Sequence, residues 1–106
     1  MAKYLIKISY TSEGAKGLLK DGGSKRKTVA EQALKSAGGT LEALYFAFGG
    51  TDAFAIVDAP DHATVIAASL AINASAAVKT ETVVLLTPQE VDAAAKKSVT
   101  YHPPGH

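Results

Sequence analysis

Residues 41–61 read LEALYFAFGGTDAFAIVDAPD. Two runs rich in aromatic and β-branched residues, about Leu41 to Phe48 and Ala53 to Asp58, flank Gly49-Gly50-Thr51-Asp52. Glycine pairs supply the positive φ that tight hairpin turns demand, so the segment reads strand, turn, strand. Pro60-Asp61 then closes the second run. The Asp61 carboxylate is placed to accept from the orphan amides near Thr64, which starts a helix running to about Ala74. Ala63, Val65, Ile66, Ala67, Ala68, Leu70, Ala71 and Ile72 leave that helix nearly without a polar stripe. A helix apolar all round is expected to be buried on more than one side.

The chain on either side completes the pattern. Residues 2–10 alternate, with Tyr4, Ile6, Ile8 and Tyr10 on one face and Lys3, Leu5, Lys7 and Ser9 on the other, as in a half-buried strand. Thr11-Ser12-Glu13-Gly14 turns into a short helical stretch that Gly22-Gly23 interrupts. Ser24 is the expected N-cap of a second helix, in which Val29, Ala30, Ala33, Leu34 and Ala37 recur at helical spacing up to Gly38-Gly39. A fourth strand runs from about Val78 to Leu86. Thr87-Pro88-Gln89-Glu90 is a capping box with proline at the first helical position, predicting a terminal helix to about Ser98. Val91, Ala94 and Ala95 give that helix an apolar stripe, so it is expected to dock, against a neighbouring subunit or over the mouth of a pocket. The order is β-α-β-β-α-β plus one helix, an α+β domain over residues 1–99 with a flexible tail at 100–106. Right-handed crossovers put the first strand beside the third and the fourth in one antiparallel four-stranded sheet, with both helices on one face.

The opposite sheet face should be polar in a monomer. Here Phe54 and Ile56 alternate with Ala53, Ala55 and Val57, and Tyr45 with Leu44 and Phe46, so both faces are apolar. Apolar faces of that extent mark an interface, with Phe54 and Ile56 as its candidate residues. A homodimer or higher homo-oligomer is expected.

Composition excludes several classes. The 106 residues are 47% hydrophobic, ordinary for one globular domain. Eleven basic against ten acidic side chains leave a net charge of +1, with no electrostatic footprint for nucleic acid or an anionic membrane. The aromatic strand segment DAFAIV at 52–57 lacks the basic start and second aromatic of an RNA-recognition module. There is no cysteine, and His62, His102 and His106 show no metal-ligand spacing, so no metal and no cofactor are expected. No signal-peptide pattern opens the chain, and the expected location is cytoplasmic.

Tyr10-Thr11, Gly14, Arg26, Phe48-Gly49, Asp52, Pro60-Asp61, Lys79-Thr80 and Thr87-Pro88, in this order, resemble the GYD-domain family from Tyr4 to about Lys97. The resemblance implies a ferredoxin-like fold of the dimeric α+β barrel type. It carries no activity of its own, since the wider barrel superfamily spans cofactor-free monooxygenases, isomerases, haem enzymes and plain ligand-binding subunits. Thr51 stands where the family carries a tyrosine, so no phenol role is carried over there.

Candidate chemistry falls into three groups. Tyr4, Tyr10, Tyr45 and Phe48 are candidates to line a cavity between sheet and helices, with the phenols as polar handles; core aromatics are the structural alternative. Lys79 and Glu81, sharing a face with Lys3 and Lys7, are candidates for proton transfer or for holding an anionic ligand; a cross-strand ion pair is the alternative. Ser24, Lys25 and Arg26, behind two glycines at a helix start, are candidates for binding an anion, against a solvated helix start. Asp52, at the hairpin tip, more often fixes a turn by bonding nearby amides. Two functions follow as expectations: a homo-oligomeric ligand-binding or accessory protein, or a cofactor-free barrel enzyme of monooxygenase or isomerase type acting on a hydrophobic or aromatic small molecule.

Overall fold

β1 (Ala2–Tyr10) is one of the two central strands of the sheet, paired along both edges. In the computed structural model, which describes residues 1–47 and 49–105, β1 runs antiparallel to β3 (Ala53–Ala59) on one side and to β4 (Val78–Leu85) on the other. β2 (Thr40–Phe46) pairs outside β3, giving the order β2-β3-β1-β4 expected of a split βαβ arrangement. The end of the expected second strand, Phe48, lies outside the described residues. Between Leu41 and Ala43 the β2 register slips by one residue, so Glu42 is a bulge.

The registers sort side chains cleanly. One face carries Tyr4, Ile6, Ala55, Val57 and Ala59, all buried, and receives Leu34 from α2 (Gly23–Ala37) and Val65 and Ala68 from α3 (His62–Ala74). This is the core. The other face carries no helix: β1 presents Lys3, Leu5 and Lys7, β3 Phe54 and Ile56, and β4 Glu81 and Val83. Across it Ala43, Ile56, Leu5 and Val83 form a continuous apolar row, next to a row of Tyr45, Phe54, Lys7 and Glu81.

Three expectations are corrected. Ser24 does not cap α2. α1 (Ser12–Asp21) and α2 share Gly22, whose φ of 80° lets one residue end the first helix and begin the second, so Ser24 falls inside α2. Within one chain α3 is not buried on several sides either, because Ile66 and Leu70 are 56% and 67% exposed. Finally, α4 (Pro88–Ala95) forms with its capping box but stops short of Ser98 and buries none of its residues. The resulting shape is long, 56 × 33 × 22 Å, with a radius of gyration of 17.0 Å against about 13 Å for a compact chain of this size. No helix among the described residues is long and apolar enough to cross a membrane.

Candidate ligand-binding site

The inner sheet face, α2 and α3 do not close completely on one another. A cavity of about 90 Å³ remains between them, with walls that include Ile6, Ile8, Leu34, Leu44 and Ile72. Its polar lining comes from Tyr10, Arg26, Ser69 and Thr80. Arg26 is on the first turns of α2, one residue beyond Lys25. Lys25 pairs with Asp21 at 3.4 Å, whereas Arg26 has no ion pair among the described residues. It is half-buried, and among the described residues it is the one charged residue in the cavity wall.

Beside the cavity a groove of about 490 Å³ opens between α3 and β4, lined by Tyr4, His62, Ile66, Leu70, Asn73 and Val84 among others. Tyr4 is 1% exposed and its hydroxyl lies 2.6 Å from His62 Nδ1, with the rings edge-on. The direction of that hydrogen bond follows the histidine tautomer. Asn73 ties the two walls together: its Nδ2 donates to Ser69 O at 2.6 Å and to Thr80 Oγ1 at 2.7 Å, while its Oδ1 accepts from the Thr80 amide at 3.0 Å. Neither the Tyr4–His62 contact nor the Asn73 clamp was read from the sequence. The first had a signal in the topology: Ala2 pairs with Ala59, so the start of α3 stands over the start of β1.

The tyrosine, lysine and glutamate candidates do not converge. Tyr10 lines the cavity and Tyr4 the adjoining groove, both from the inner face. Tyr45 is 71% exposed on the open face, and Lys79 and Glu81 point there too, opposite Ser9 and Lys7. Phe48 is outside the described residues. Strand parity therefore keeps Tyr45, Lys79 and Glu81 out of the cavity that Tyr10 lines. Lys7 and Glu81 face each other directly yet form no ion pair, and Lys3 instead donates to Glu42 at 2.7 Å and Asp58 at 3.0 Å. Those two carboxylates, Glu42 foremost, hold the Lys3 ammonium pKa above the ordinary lysine value. Ser24 and Lys25 are exposed and remain on the helix start, so of the three anion candidates only Arg26 reaches the cavity.

The GYD domain family model matches residues 4–95. The chain belongs to the GYD-domain family. No curated protein matches it. In this GYD protein most residues that carry the resemblance hold the fold together. Thr11 caps α1 and its hydroxyl donates to Ala76 O at 2.9 Å and Ala77 O at 3.1 Å. Asp52 accepts from the Tyr10 amide at 2.8 Å while its own amide donates to Ile8 O, which pins the hairpin to the end of β1. That agrees with a turn-fixing role. Asp61 caps α3 through Thr64, whose hydroxyl and amide together hold the carboxyl pKa below its ordinary value. Thr87 and Glu90 form the reciprocal cap of α4. Arg26 and Tyr10, with Thr80, are the residues of the resemblance that line the cavity.

Proposed function

We propose that this GYD protein is a homo-oligomeric binding protein that takes a small molecule with an apolar body into the cavity between its sheet and helices. The observation that supports this most is the cavity itself: apolar walls with a few polar groups are what small-molecule sites require. Neither a carboxylate nor an imidazole is among its lining residues, so the chemistry at hand is retention rather than proton abstraction. Isobutanol is a probe of the right size. Its addition should shift the methyl resonances of Leu34, Leu44 and Ile72 saturably, and Ala33→Leu, which fills the space, should abolish the shifts without changing the far-UV spectrum. Unsaturable shifts spread over the surface would refute it.

The 2.6 Å contact of Tyr4 and His62 favours a second reading confined to the α3–β4 groove, that of a cofactor-free enzyme on a hydrophobic substrate. There the imidazole would serve as the base and the phenol as its orienting partner. Repeating the titration in deuterium oxide with a carbon acid separates the two readings: deuterium incorporation that His62→Ala removes belongs to the groove, and its absence leaves only the binding role.

A further inference from the structure

We infer that the molecule held in this cavity is a short aliphatic carboxylate, with its acid group on Arg26 and the Tyr10 hydroxyl and its carbon body among Ile6, Leu34 and Leu44. The inference rests on the binding role proposed above and names the ligand class for that same cavity.

Charge is the first argument. A guanidinium drawn partly out of water and against apolar walls is costly unless an anion meets it. Its chain neighbour Lys25 has Asp21. Arg26, more buried than Lys25, has none among the described residues. Its planar fork suits a carboxylate, which it can grip through two parallel hydrogen bonds. Tyr10, from the end of β1, lines the same cavity, and its hydroxyl is available as a third donor. Tyr10 is also firmly placed, since the Asp52 carboxylate accepts from its backbone amide.

Volume is the second argument, and it limits the carbon body. A cavity of about 150 Å³ accepts benzene, so about 90 Å³ admits a body of roughly three or four carbons. Aromatic acids and long fatty acids are too large for it. A propionate-like or branched four-carbon acid fits. Inorganic phosphate or sulfate would satisfy Arg26 but leave the walls empty, so neither should compete well.

The test compares isobutyrate with isobutanol, which share a carbon skeleton and differ in charge, by methyl shift titration and thermal shift. Isobutyrate should bind at least tenfold more tightly than the alcohol near neutral pH, and its advantage should vanish as the acid is protonated. Arg26→Gln should remove that tenfold advantage and leave the alcohol unchanged. The pH arm needs no variant and stands even if Arg26→Gln proves unstable. Equal binding of acid and alcohol by the unaltered protein would overturn the carboxylate assignment while leaving the cavity role intact. Binding of neither would overturn both.

Discussion

Gly14 and Ala76 lie on the two sides of one close approach, where the start of α1 meets the turn before β4, and their backbones make opposite demands. A Cβ on Gly14 would stand 2.0 Å from Ala77 O, a distance no real side chain tolerates. Ala76 holds φ at 62°, the left-handed region, where a Cβ is itself the problem. Gly14→Ala should therefore destabilise the domain by about 1–3 kcal/mol, the usual cost of overpacking. Ala76→Gly should be neutral to stabilising by up to about 1 kcal/mol, as relief of the strained φ outweighs added freedom in the unfolded chain. Urea denaturation of both variants checks this, and the same sign for the two would contradict the geometry. At this scale the sequence was legible where partners are local. Asp61 with Thr64 and Thr87 with Glu90 sit three residues apart, and both caps formed as expected. Tyr4 and His62 are 58 residues apart, and only the fold brings them together.

The helices divide by whether their boundaries were written locally or set by packing. α4 began at Pro88 as its capping box requires, yet an eight-residue helix is below the roughly 12–15 residues that hold together alone in water. It buries nothing in its own chain, and Val91 on its stripe is half-exposed. Its docking partner is thus expected on a second copy of the chain. Removing residues 88–106 should lower the melting temperature or shrink the assembly in sedimentation. Removing 100–106 alone should change stability by less than about 0.5 kcal/mol, because that segment is exposed throughout its described residues. Indistinguishable truncations would leave α4 without a structural role. The α1–α2 boundary was harder to read. Gly22-Gly23-Ser24 offers two glycines and a good cap, and the choice of Gly22 for both duties accompanies the close approach of Gly23 to the Phe46 ring, where a Cβ would come within 3.1 Å. Strand alternation, by contrast, told which residues share a face in β1, β3 and β4. It could not tell how β2 registers against β1, and that is why Tyr45 was grouped with Tyr10, whereas Lys79 and Glu81 stand on the face of Lys3 and Lys7.

For the whole molecule the open sheet face is the feature that separates a monomer from an assembly. Ala43, Ile56, Leu5 and Val83 cross all four strands as one apolar row, a continuity that lone surface hydrophobes lack. The unaltered protein should sediment as a dimer or larger species at micromolar concentration. Ile56→Asp should sediment as a monomer with its sheet intact, since an unpaired carboxylate buried at an interface costs several kcal/mol but is solvated once the face is free. A monomer before substitution would dismiss the assembly. Lys3 lies directly across from Leu85, so the first strand begins beside the point where the last one ends. Joining those two points by a short linker and opening the chain at Gly49-Gly50 would preserve every strand pairing in the sheet. The architecture is, in that sense, a closed loop of elements with no required first residue, open to circular permutation and to genetic fusion of two domains in tandem.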